Sequence, residues 1–172
     1  CIAPNNCISV GHYADGTRLA TLVERLTTPT PPDTGSMSWS IVASPNTGSL
    51  DNYLNSVSCV SANFCTAVGN YFDGTRAATL IQHWNGTTWT TITSPNPGAA
   101  SNFLNSVSCV SASDCTAVGY YFDGTRDATL ILHWNGTTWT TITSPNVGTR
   151  NNNLYSVSCV SANFCTAVGN YF

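Results

Sequence analysis

One block of sequence is written almost identically at a fixed interval. "LNSVSCVSANFCTAVGNYFDGTR" at 54–76 returns as "LNSVSCVSASDCTAVGYYFDGTR" at 104–126, and the same string starts again at 154. Cys59, Cys109 and Cys159 set a period of 50 residues. Repeats two and three agree at about four positions in five, a strong repeat signal. Self-similarity of this length means one supersecondary unit used several times, with neighbours stacking to bury a shared core. The repeats divide the chain at 1–53, 54–103, 104–153 and 154–172, the last partial. The first is the most diverged and carries a Pro-rich insertion near 27–37, "TTPTPPDTGSM", which reads as an extended surface loop.

Within one period the pattern is that of strands. "LNSVSCVS" and "FCTAVGNYF" are Val-rich runs of strand length; "RAATLIQHW" and "TWTTITSP" are rich in β-branched and aromatic residues. "DG" at Asp73 and Gly74 predicts a type I′ hairpin turn with positive φ at both residues. "NGTT" at 85–88 predicts another hairpin turn, and "NPGAASN" an exit loop. No segment shows helical periodicity or a helix cap. The fold class expected is all-β, with four antiparallel strands per repeat. Trp84 and Trp89 flank "NGTT" and should face each other across the third and fourth strands, as should Trp134 and Trp139. Such aromatic pairs contribute about 0.5–1.5 kcal/mol beyond area burial. The first repeat has Leu26 where Trp84 would stand.

The cysteines follow the repeat. Cys1/Cys7, Cys59/Cys65, Cys109/Cys115 and Cys159/Cys165 are all C-x5-C. Zinc sites and thioredoxin-like sites use other spacings. One pair per repeat, an even total and a short gap predict one hairpin disulfide per repeat, with each pair directly opposed across the first two strands. The competing reading is buried free thiols acting as small hydrophobes. Disulfides imply an oxidising compartment, hence an extracellular, secreted or surface-displayed protein. A closed loop this short places each bond at the low end of about 2–4 kcal/mol.

Four antiparallel strands in 40–50 residues is the anatomy of a β-propeller blade. An "SV" strand, a hairpin, a "G" before a "DGT" turn and a strand ending near a Trp resemble the blades of WD40 proteins. "WNGTTW" resembles the Asp-box hairpin of sialidase-type propellers, with Asn85 or Asn135 in the aspartate's place. The pattern "SVSCxSxxxCTAVG…HWNGTTW…SPN" spans nearly the whole chain. It is similar to secreted β-propeller repeat proteins of actinobacteria and related soil bacteria. The resemblance implies β-propeller-type repeats, about 3.5 of them, and is nearly silent about function.

Few residues carry chemistry. Only 8% are charged, lysine is absent, and the net charge is -3. With no basic patch, no nucleic-acid partner is expected. No apolar run approaches the roughly 20 residues of a membrane span. Asp15, Asp73 and Asp123 sit in "DGT" turns, where bonding to nearby amides explains them better than general acid catalysis. Arg18, Arg76 and Arg126 follow those turns and read as partners of the aspartates or braces to the next blade. Sialidase chemistry would need acids and a tyrosine nucleophile beside them, and no such set is present. His83 and His133 are equivalent and lack a third ligand in pattern, since Arg25 holds the first copy's position. No metal site and no cofactor are expected. Asn85 and Asn135 match the glycosylation sequon, although a turn role is favoured. The spacing in "TTWTTIT", shared with ice-binding surfaces, is ordinary for solvent-facing strand threonines.

The expected function is a non-enzymatic extracellular scaffold or interaction module, possible partners being other copies or flanking repeats of the same protein. The alternative is a glycan-binding propeller lectin for surface glycans, with Trp84, Trp89, Trp134, Trp139, Arg76, Arg126, Asp73 and Asp123 as candidate ligand-binding residues. Repeated weak sites of that kind would give avidity. Counting four strands in each of copies one to three and two in the fourth gives a chain that begins and ends on the same pair of strands. Such a chain does not close a ring alone. It therefore fits an open array or filament, or a ring completed by flanking repeats or other chains.

Overall fold

Among the described residues, tight polar turns fold the chain into thirteen antiparallel strands, with no helix. The computed structural model describes residues 1–2, 7–27 and 36–172, so most of the Pro-rich insertion lies outside it. Strands β1 (Ile8–Ala14), β2 (Leu19–Thr27) and β3 (Ser38–Ile41) form the first sheet. The second holds β4 (Asn52–Ser61), β5 (Phe64–Phe72), β6 (Ala77–Trp84) and β7 (Trp89–Ile92), in that order. The third holds β8 (Asn102–Ser111), β9 (Asp114–Phe122), β10 (Asp127–Trp134) and β11 (Trp139–Ile142). The fourth is β12 (Asn152–Ser161) paired with β13 (Phe164–Tyr171).

The expectation of four strands in the first copy is corrected. Its sheet has three among the described residues, and β1 follows Cys7 as β5 contains Cys65, so it is a second strand and not a first. The turn chemistry is corrected as well. Asp73 does not take positive φ; Gly74 alone does, at 104°. The four residues between β5 and β6 are closed by Asp73 N–H donating to the Arg76 carbonyl at 3.0 Å. An aspartate Cβ makes positive φ costly, and here the side chain organises the turn instead.

Apolar residues on alternate positions send the second sheet's two faces into two different cores. Cys65, Ala67, Leu80, Trp84 and Trp89 pack back with Val23 of the first sheet. Val68 and Ile81 pack forward against Leu104, Leu130, Leu132 and Trp134 of the third. A strand covered on both faces reads as a near-continuous apolar run, as "AATLI" in β6 does apart from Thr79, whose hydroxyl pairs with Ser94 Oγ.

Two irregularities recur where first and second strands pair. Asn55 and Val60 are extra residues, between Leu54 and Ser56 and between Cys59 and Ser61. The third and fourth sheets repeat both. The second bulge leaves a two-residue connection, Ala62 and Asn63, where a five-residue hairpin loop was expected between the cysteines. Cys59 lies opposite Cys65, Cα atoms 4.0 Å apart, and the two are disulfide-bonded. Cys109–Cys115 and Cys159–Cys165 repeat this arrangement, and Cys1–Cys7 is bonded as well, giving one bond per repeat. The first bulge presses the Tyr53 carbonyl onto Gly69, where a Cβ would sit 2.0 Å from that oxygen.

Sheets are also tied edge to edge. Val107 N–H donates to Ser56 Oγ (3.2 Å) and Cys109 N–H to Ser58 Oγ (2.9 Å). Val157 and Cys159 do the same with Ser106 (3.2 Å) and Ser108 (3.0 Å). The bulged Asn55 donates its Nδ2 to the Leu104 carbonyl at 2.9 Å, and Asn105 to Leu154 at 2.7 Å.

Equivalent glycines make a controlled test. Gly69→Ala should cost about 1–3 kcal/mol, because backbone must move to admit the methyl. Gly11→Ala, where a Cβ meets nothing within 4 Å, should be neutral or stabilising by about 0.5 kcal/mol. Urea unfolding of the two variants beside the parent checks this, and equal effects would contradict the bulge account.

Candidate functional site

The polar side chains gather at two kinds of turn, at opposite ends of the long strands. In the first kind, Asp73 Oδ1 accepts from Thr75 Oγ1 (2.7 Å), Thr75 N–H (2.8 Å) and Arg76 N–H (3.0 Å). These bonds, the Thr75 hydroxyl foremost, hold the Asp73 pKa down to about 2. Asp15 and Asp123 are held to about 2 by the same bonds from Thr17 and Thr125. A carboxylate this acidic keeps no proton to give at neutral pH, which disfavours an acid role. Arg76 Nε lies 3.4 Å from Asp73 Oδ2, and Nη1 donates to the Gly98 carbonyl at 2.7 Å. Arg18 reaches the Gly48 carbonyl at 2.8 Å, and Arg126 reaches that of Gly148. The arginines therefore brace the exit loop of their own repeat as it leads to the next sheet.

Buried asparagines complete that brace. Asn102 takes the Gly98 N–H on Oδ1 (2.8 Å) and donates Nδ2 to the Gly98 carbonyl (2.9 Å). Asn52 and Asn152 make the matching pair with Thr47 and Val147. Sequence reading passed over these residues; their signal is the Asn two positions before the Leu that opens each "LNSVS" or "LYSVS".

In the second kind of turn, Asn85 Oδ1 accepts from the N–H groups of Thr87 (3.0 Å) and Thr88 (2.9 Å). Asn135 does likewise with Thr137 (3.0 Å) and Thr138 (2.9 Å). Both asparagines are exposed. Beside them, Trp84 and Trp89 stand opposite in register with ring centroids 5.7 Å apart, and are only 4% and 5% exposed. Trp134 and Trp139 repeat the pair at 5.8 Å.

The proposed ligand set is thus not brought together. Asp73 and Arg76 lie at one end of β6, and Trp84 and Asn85 at the other, roughly 25 Å away at strand rise. Asp123, Arg126, Trp134 and Asn135 are divided in the same way by β10. The tryptophan rings lie in the cores between sheets, and Trp84 gives its Nε1–H to the Ala62 carbonyl at 3.0 Å.

The two histidines have diverged. His83 is enclosed by rings: Phe64 at 5.3 Å, Trp134 edge-on at 4.7 Å and Trp139 at 6.3 Å. Burial holds its pKa down to about 4. In the third sheet Asp114 replaces Phe64, and its Oδ1 lies 3.6 Å from His133 Nε2. Among the described residues no three His, Cys, Asp or Glu side chains converge as a metal site would require. No helix there is long and apolar enough to cross a membrane. No protein-family model matches the chain, and no curated protein matches it.

The shifted groups predict two acid transitions. His83 has a folded pKa of about 4 against an ordinary 6.5, so the unfolded chain takes up the proton first. Stability should fall as pH drops from 6.5 and the loss should be complete near 4. The aspartates act lower: their contribution is full above 3.8 and lost as pH falls through about 2. Urea midpoints measured against pH should show the first decline flattened in His83→Leu and the second reduced in Asp73→Asn.

Proposed function

We propose that the repeats are β-propeller-type blades and that the chain serves outside the cell as a non-enzymatic scaffold or interaction module built by stacking like units. The observation that carries this reading is the repeated junction between sheets. The same two serine-to-amide bonds and the same asparagine-to-carbonyl bond join the second sheet to the third and the third to the fourth. A heterologous contact that is the same at every step can be extended by any further unit of its kind, in the same chain or another.

Other features support it. Sheets of four antiparallel strands at a 50-residue spacing have the anatomy of propeller blades, in keeping with the resemblance to secreted actinobacterial repeats. Four disulfides with no free thiol among the described residues suit an oxidising compartment. A non-enzymatic role is favoured because the repeated aspartates and arginines are committed to bracing turns. The partners proposed are other copies or flanking repeats. The fourth sheet offers the face they would take: Val168 is 57% exposed where Val68 and Val118 are fully buried, and Phe164 is 63% exposed.

Sedimentation of the oxidised protein over a wide concentration range tests the reading. Concentration-dependent association is expected, weakened about tenfold or more by Val168→Asp, since a charge would be buried in the new junction. A monomer at every concentration would remove stacking between chains from the proposal.

A further inference from the structure

Between the outer strand of the second sheet and the β10–β11 hairpin of the third runs a groove of about 620 Å³. That is within the range of small-molecule sites. Thr91, Ile92 and Thr93 line one wall, and Thr137, Thr138 and Trp139 the other. No charged side chain lines it. The four threonines are exposed, and their hydroxyls make no hydrogen bond within the described protein. This is not a property of the local sequence. In the identical "NGTTW" of the second sheet, the Thr87 and Thr88 hydroxyls both turn onto Asn85 Oδ1, at 2.8 and 3.4 Å.

A second observation concerns Trp139. It is 5% exposed, and its Nε1–H is buried without a partner. Its neighbour Trp134 gives the same atom to the Ala112 carbonyl at 3.0 Å. Buried polar atoms left without partners are rare and call for an explanation.

We infer that this groove binds a neutral carbohydrate, a short oligosaccharide lying across the junction of the second and third sheets. A hydroxyl both donates and accepts, so one can accept from the Trp139 indole N–H while it pairs with a wall threonine. A sugar ring also offers further hydroxyls to the threonines and a C–H face to Ile92. A charged ligand would find no counter-charge in the groove. A purely apolar one would strip water from four threonine hydroxyls without replacing it, which is costly. The corresponding junction between the first and second sheets has Ile41 and Ala43 where Thr91 and Thr93 stand. The unpartnered Nε1 of Trp89 is present there too. The chain should therefore hold one such site, and the hydroxyls distinguish it.

Calorimetric titration of the oxidised protein with chitotetraose, cellotetraose and mannotetraose tests this, with tetragalacturonate as the charged control. Saturable binding of at least one neutral oligosaccharide is expected, at one equivalent per chain, with none for the acidic control. Thr91→Val combined with Thr137→Val keeps side-chain shape at two exposed positions and should weaken binding about tenfold or more. The inference is overturned by no saturable binding to any neutral oligosaccharide, by tighter binding of the acidic one, or by binding that the valine pair leaves unchanged in a protein whose melting temperature is unaltered.

Discussion

A strand at the edge of a sheet carries a row of unpaired N–H and C=O groups, and the second, third and fourth sheets each have such an edge at their first strand. The rest of the structure depends on how that edge is satisfied. Strands β4, β8 and β12 lie side by side, and serines of one cap the amides of the next. Each bond alone contributes only about 0.5–1.5 kcal/mol. Their effect is geometric: a hydroxyl on a short side chain reaches an amide only if the two strands hold a fixed offset. That offset must survive in every sheet, so the first strand must not slide on the second. The bulges at Asn55 and Val60 prevent a slide, since the extra residues fit one register. The disulfide fixes the same place covalently. Cys109 joins the two devices, with its amide on Ser58 and its sulfur on Cys115.

This division explains what could be read from the sequence. The all-β class, the hairpins at "DGT" and "NGT" and the cysteine pairing are local matters, set by turn residues and short spacings, and the strands follow them. The serines are different. In "SVSCVS" they look like solvent-facing residues, and only a neighbouring sheet turns Ser56 and Ser58 into acceptors. The bulges left one trace, a glycine inside an otherwise apolar strand, at Gly69, Gly119 and Gly169. The candidate ligand residues share a repeat but not a place: the length of β6 separates Arg76 from Trp84, and the adjoining sheet covers Trp84 and Trp89.

Faithful repetition does not make the junctions equivalent. Phe64 gives way to Asp114, and the histidine beside it passes from an aromatic enclosure to a carboxylate partner. Gln82 donates to the Pro45 carbonyl of the preceding repeat at 2.6 Å, while its counterpart Leu132 is buried in the next core. Asn70 gives way to Tyr120, whose ring packs on Phe103 at 4.9 Å. These substitutions touch side chains that meet a partner across a core or along a face. The serine, asparagine and glycine positions that set the offset are unchanged between the second and third repeats. The backbone interface is thus common to the two junctions between first strands, while the side-chain chemistry laid over it is particular to each.

That separation bears on where binding can arise. First strands are committed to their neighbours, the "DGTR" turns to exit loops, and the tryptophan faces to the cores. What remains is the outer margin, where β7 and β11 are only four residues long against ten in β4 and β8. Short edge strands are a usual defence against unwanted strand pairing. Here the shortness has a second consequence: the hairpin of the next sheet stands beside a brief outer strand, and a groove opens between them. The threonines on its walls make no side-chain bond that holds the stack, so Ile41 and Thr91, or Ala43 and Thr93, can differ without disturbing the register. Recognition can be varied at that margin, junction by junction, while the scaffold beneath stays the same.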